Sequence, residues 1–153
     1  MIKILTLKDK RLRFISKKIT KYNKIKKIFL IKKMIISMLF KKGIGISSNQ
    51  INFKYRIIII NVNKKNKPII IINPKKYKKS NFLTISTEGC LSIPKFYSSI
   101  PRSEKVFLKY VNIYNKYKKK LFNNINSRCL QHEIDHLFGI LLIDYFNTII
   151  KYE

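Results

Sequence analysis

His132-Glu133-Ile134-Asp135-His136 is the stretch around which the rest of this 153-residue chain is organised. Residues four apart on an α-helix share one face, so the two imidazoles can hold a single metal ion while Glu133 points toward a water carried there. They are the only two histidines in the sequence. A surface helix on which two histidines fall at this spacing by chance is the plain alternative, and the scarcity of histidine weighs against it. The stretch predicts a helix bearing a metal-dependent hydrolase centre, with Asn124 or Asn126 capping its start and Gly139 marking its end.

A catalytic centre of this kind needs a third protein ligand and one position left for water. A histidine six residues beyond His136 would complete one familiar pattern, but that position is Leu142. A carboxylate from a later helix would complete another, and only Asp144 and Glu153 follow the motif. The first is too near in sequence to fold back comfortably and the second is the last residue. Two cysteines remain. Cys129 lies on the same helix, about 7.5 Å along the axis from the level of the metal, beyond the reach of its side chain. Cys90 comes from a separate segment, so a site of Cys90, His132 and His136 is expected.

Outward from the helix, short β-branched runs at Arg56–Val62 and Ile69–Ile72 flank a polar turn at residues 63–68 and read as a hairpin. Val106–Tyr114 and Lys118–Phe122 read as a second hairpin turning at Asn115 and Lys116, and Phe82–Ser86 as a further strand. Gly89 then permits a sharp bend that places Cys90 on an exposed turn. Asn23 to Lys42 is an amphipathic helix capped by Asn23 and stopped by Gly43. A short helical turn is expected between Lys8 and Ile19, and Ile140 to Phe146 forms an apolar tail that packs on the core. Gly43 and Gly45 are two of only four glycines, and they allow a ligand backbone to pair directly with this segment or simply form a turn before a strand.

The charge is extreme: 34 Lys and Arg against 7 Asp and Glu give +27. Such a surplus attracts polyanions. Here the lysines are scattered from Lys3 to Lys151, and Lys, Asn, Ile, Tyr and Phe are abundant together. That favours compositional drift from an A/T-rich coding sequence over a dedicated nucleic-acid site. Two cysteines fit a reducing cytosol. No secretion signal is visible, and the apolar run Ile28–Phe40 is broken by Lys32 and Lys33, short of a membrane span. One domain over residues 1–153 is expected, without repeats or linkers.

Three segments together resemble the peptide deformylase family: Gly43-Ile44-Gly45 through Gln50, Glu88-Gly89-Cys90-Leu91-Ser92, and Gln131-His132-Glu133-Ile134-Asp135-His136. The likeness extends over nearly the whole chain, including Asn73-Pro74 and Pro101-Arg102. It implies an α+β fold of antiparallel β-sheets around a central metal-binding helix, with the Asn23–Lys42 helix outside. It implies an amidohydrolase that removes the formyl group from N-formylmethionyl nascent peptides and releases formate. One divalent metal is implied, Fe2+ first, with Zn2+, Ni2+ or Co2+ able to replace it. Glu133 would move the proton from water to the leaving amine. The Gln50 amide and the Leu91 backbone N–H would stabilise the oxyanion. Gly43, Ile44 and Gly45 would meet the substrate backbone, and Ile44, Ile125 and Cys129 would line the methionine pocket. Glu88 and Arg102 would form an ion pair bracing the cysteine segment, while Asp135 either orients a ligand histidine or faces solvent.

The sequence departs from the family at Ser47-Ser48-Asn49, where Ala and Pro are usual, and at Tyr97, where many members carry arginine. It ends at Glu153, where many bacterial members continue into a helix linked to ribosome binding. That attachment is expected to be lost or replaced, with the diffuse charge giving nonspecific affinity for ribosomal RNA. A monomer in the cytoplasm is expected, with no DNA and no membrane partner. The rival functions are a generic metallopeptidase, which predicts a carboxylate third ligand, and a basic RNA-binding protein with a relic metal site.

Overall fold

The computed structural model describes residues 3–20, 24–63, 66–75 and 77–149. Among them, helices α1 (Lys24–Phe40), α2 (Asn124–Leu137) and α3 (Leu142–Ile149) accompany eight strands. The strands are β1 (Gly45–Ser47), β2 (Ile57–Ile60), β3 (Ile69–Ile72), β4 (Tyr77–Lys79), β5 (Leu83–Cys90), β6 (Ile93–Ser103), β7 (Lys105–Val111) and β8 (Tyr117–Asn123). The pairings are all antiparallel: β1-β2-β3-β7-β4 with β8 on the other edge of β7, and a separate β5-β6 ribbon. The α+β class expected from the sequence is borne out.

The two isoleucine quartets of β2 and β3 lack the alternation of a half-exposed strand because helices cover both faces of this part of the sheet. Ile58, Ile60 and Ile71 pack with Leu130, Ile134 and Leu137 of α2. Ile57, Ile59 and Ile72 pack with Ile31, Met34 and Met38 of α1. Full burial of each such side chain contributes about 1.5–3 kcal/mol. Helix α2 is thereby clamped against the sheet.

The expected Asn23–Lys42 helix is found as α1, and its proposed cap, Asn23, lies outside the described residues. Both hairpins are present, with Ile57 opposite Ile72 and Lys105 opposite Asn123. At the second turn Asn115 has φ 60, and Asn112 Oδ1 accepts from the N–H groups of Tyr114 and Lys116. The leading segment forms a short 3-10 turn, Lys10–Arg13, capped by the Asp9 carboxylate. Leu141 and Leu142 of the apolar tail are buried, and α3 extends it, tied to the leading segment by an Arg13–Asp144 ion pair of 2.5 Å.

Two local expectations need correction. Helix α2 is capped from Asn123, whose side chain makes no capping bond, rather than from Asn124 or Asn126, because β8 runs directly into the helix. Strand β5 continues through Gly89, so Cys90 is a buried residue at a register shift and not part of an exposed turn. The segment Gly45–Ser47 is an edge strand of the main sheet, with Gly43 just before it. Gly139 does end α2: its φ is 75, its N–H donates to the His136 carbonyl, and a Cβ there would collide with the Arg13 carbonyl.

Candidate metal centre

The backbone of Ser103 in β6 fixes α2 in rotation. Gln131 Nε2 donates to the Ser103 carbonyl at 2.8 Å while its Oε1 accepts from Ser103 N–H at 3.2 Å. The Ser127 hydroxyl donates to the same carbonyl. Asn49 reaches the far end of the helix, donating to the carbonyls of His136 and Leu12. Helix rotation decides which side chains meet Cys90, so these polar clamps set the site.

His132 and His136 face Cys90, and one ligand atom from each lies within 4.8 Å of the others. Cys90 Sγ is 3.2 Å from His136 Nε2, which is 3.2 Å from His132 Nε2. All three residues are buried. Donor atoms about 2.0–2.3 Å from one tetrahedral ion stand at close to these separations from one another, so the residues fit a divalent metal. No other group of three metal-binding side chains occurs among the described residues.

Glu88 governs the ligand state of His132. Its Oε2 is 3.0 Å from His132 Nδ1, which keeps the ring hydrogen there and leaves Nε2 with its lone pair. Arg102 donates to both carboxylate oxygens at 3.0 and 3.1 Å, and Arg128 donates at 2.8 Å. Burial opposes the Glu88 charge, yet His132 and Arg102 outweigh it and hold the carboxyl at about 2. Burial likewise opposes a charged His132, but Cys90 and Glu88 push it up to about 10. His136 is driven well below its usual range, first by burial and then by His132, as suits a neutral ligand.

Glu133 sits one residue along the helix with Oε2 buried and without a hydrogen-bond partner. Burial, the main cause, raises its carboxyl to about 7. A carboxyl poised there can accept and return a proton near neutral pH. Gly45 of β1 approaches it so closely that a Cβ would lie 2.5 Å from Glu133 Oε1 and 2.6 Å from Cys129 Sγ. Gly45→Ala is expected to displace the Glu133 carboxylate and lower kcat/KM about 100-fold. Steady-state kinetics beside metal analysis checks this, since metal content should stay unchanged.

Gln50 lies in the buried 3-10 turn Ser48–Ile51. Its Oε1 accepts from Ser47 N–H at 2.9 Å, which turns Nε2 toward Ser92 Oγ at 3.1 Å and Cys90 Sγ at 3.8 Å. The centre opens into a cleft of about 1060 Å³. Gly43, Ile44, Gly45 and Leu91 line one part of it, and Ile125, Cys129, His132 and Glu133 another. Tyr97 stands at its rim, 70% exposed. Cys129 is buried, and burial, with Glu133 and Glu88 adding to it, raises its thiol well above the usual range, so it contributes an uncharged wall.

Asp135 takes neither course anticipated for it: it accepts from Arg102 Nη1 and from the Tyr145 hydroxyl at 2.7 Å. It thus braces the guanidinium that braces Glu88. Arg128, Asn49 and Ser92 were not anticipated. Arg128 stands four residues before His132 on the same helical face, a spacing that could have flagged it. The bonds of Asn49 and Ser92 span distant segments and leave no local trace.

Comparison with known proteins gives a consistent result. The family model described as polypeptide deformylase matches residues 1–151. Peptide deformylase of Blochmanniella pennsylvanica is 40% identical over 151 residues, covering 97% of this chain and 86% of the relative. The crystal structure of peptide deformylase from Thermotoga maritima superposes with a TM-score of 0.89 at 32% identity, covering 95% of this chain and 97% of that one. The Met-Ala-Ser-bound class I type b peptide deformylase from Acinetobacter baumannii also gives 0.89, at 26% identity over 95% of this chain and 98% of that one.

Proposed function

The chain belongs to the polypeptide deformylase family, and from that premise we propose how its own residues perform the reaction. The activity is hydrolysis of the N-formyl group of nascent peptides. We assign it to a single catalytic domain of residues 1–153, acting as a monomer in the cytoplasm on N-formylmethionyl chains.

Cys90, His132 and His136 would hold one divalent metal, ferrous iron by assignment, which when bound supplies Lewis-acid polarisation and an acidified water. Glu133 accepts the proton of the attacking water as its oxygen bonds to the formyl carbon. The Gln50 amide and the Leu91 N–H donate to the oxygen that gains negative charge. As the carbon–nitrogen bond breaks, Glu133 returns the proton to the departing amine, leaving formate and a free N-terminus. Gly43 and Ile44, with the outer edge of β1 at Gly45, receive the substrate backbone as an added strand. Ile44, Ile125 and Cys129 receive the methionine side chain. Glu88 fixes His132, and Arg102 and Asp135 fix Glu88. The diffuse positive charge draws the protein to ribosomal RNA.

The observation that carries the assignment is the convergence of three buried ligand atoms beside the buried, unpartnered Glu133 oxygen. A metallopeptidase with a carboxylate third ligand is disfavoured because Asp144 is bound to Arg13 and to the Leu141 N–H. The test is formate release from formyl-Met-Ala-Ser by anaerobically prepared protein. Release is expected with ferrous iron, should vanish on chelation and return with added metal. Cys90→Ser should lose bound metal. Formate release that ignores chelation would overturn the metal assignment, and Cys90→Ser with full metal content would overturn the ligand set. Met-Ala-Ser, the peptide bound in the Acinetobacter relative, is the expected second product.

A further inference from the structure

One face of the main sheet takes no part in the deformylation centre. The inner face of β7 and β8, with Val106, Leu108, Tyr110 and Phe122, packs on α2. Away from α1, the opposite face is open to solvent. Because antiparallel partners share a face, the register places Lys78, Phe107 and Leu121 in one row and Lys109 beside Lys119 in the next. Tyr117 lies beyond them, 74% exposed, with Lys75 Nζ 4.9 Å over its ring. Phe107 and Tyr117 stand about 14 Å apart along the strands.

Of the seven lysines on β4, β7 and β8, Lys78, Lys105, Lys109 and Lys119 fall in the outward rows, and none of the seventeen residues of these strands is acidic. Lys109 directly opposite Lys119 is a like-charge pair, which destabilises a sheet unless an anion lies across it. Flat rings set among ammonium groups suit a chain that alternates phosphates with bases.

We propose that this outer face of β4, β7 and β8 is a docking surface for single-stranded RNA. The lysines hold the phosphates, and Phe107 and Tyr117 receive bases. The idea rests on the ribosomal RNA attraction proposed above and gives it a location. A lipid surface suits this face less well, since Leu121 is the only exposed aliphatic side chain among its outward rows and charges outnumber apolar groups.

The test uses the full-length protein and a fluorescein-labelled 15-nucleotide single-stranded RNA of mixed sequence, read by anisotropy across a salt series. Lys78→Glu/Lys119→Glu sets a carboxylate opposite Lys109, relieves the repulsion and should fold at least as well as the parent. It should bind at least tenfold more weakly, with a log–log salt slope shallower by about 1.4. Lys24→Glu/Lys32→Glu on the exposed side of α1 makes the same charge change and should cost less than threefold. Tyr117→Ala should weaken the single strand more than a duplex of equal length. Formate release should be unchanged in all three, since none of these residues lines the cleft. Equal losses in the two charge variants would overturn the located surface while leaving diffuse attraction standing. No RNA binding by the parent would overturn both, and tighter binding to vesicles containing anionic phospholipid than to RNA would overturn the choice of partner.

Discussion

Glu133→Gln lowers kcat/KM for formyl-Met-Ala-Ser by about 10²–10⁴-fold while the protein keeps its metal. The amide preserves the shape of a buried side chain that Gly45 closely confines, so the fold is not disturbed. It cannot accept the proton of water, and the step from amide to formate stalls. The loss should appear mainly in kcat, because the substrate contacts proposed above are made by β1 and the apolar wall rather than by this carboxylate. Metal analysis and kinetics on the same sample decide the point. Near-parental turnover would remove Glu133 from the mechanism.

Glu88→Gln is expected to cost about 3–5 kcal/mol of stability, because two buried guanidinium groups and a ring N–H all converge on the charge it removes. The measurement is a fall in the urea midpoint at unchanged slope. Metal affinity should also fall about 10–100-fold, since a neutral amide oxygen holds the His132 Nδ1–H less firmly than the carboxylate does. The pH dependence of the metal-free protein provides a further reading. The Glu88 carboxyl is held at about 2, below its ordinary 4.5. Its contribution is therefore complete above the ordinary value and lost as pH falls toward 2. The glutamine variant should be flatter across that window.

How much of this was legible in the sequence depended on whether a segment faces one environment or two. Helix α1 shows its periodicity because only one side meets the sheet, and it was placed to within two residues of its observed end. The isoleucine quartets were legible as strands because β-branched runs bounded by turns have few alternatives. Strand β6 was missed. Its sequence Ile93-Pro94-Lys95-Phe96-Tyr97-Ser98-Ser99-Ile100-Pro101-Arg102-Ser103 contains two prolines, and its burial does not alternate cleanly, because Ile93 and Ile100 pack on α3 and Arg102 and Ser103 face α2 while residues 94–99 stay more open. The ligands Cys90, His132 and His136 could be argued from donor chemistry and helical reach. Arg128 could be flagged by its spacing from His132, but its partner could not, being a carboxylate forty residues away in sequence. The burial of Cys90 also escaped, since it follows from β5 continuing past Gly89 into a pocket closed by α2.

The polar clamp from Asn49 to the His136 carbonyl spans 87 residues, and the ion pair that closes the leading segment on α3 spans 131. Chains whose native contacts join such distant positions fold slowly, because loop-closure entropy is met before those contacts form. No short piece of this protein contains the centre: Cys90 and His136 come from strand and helix that meet only in the completed topology. A cation that binds only the finished centre then stabilises the whole molecule by mass action. Metal supply would set how much of this lysine-rich chain is folded as well as how much is active.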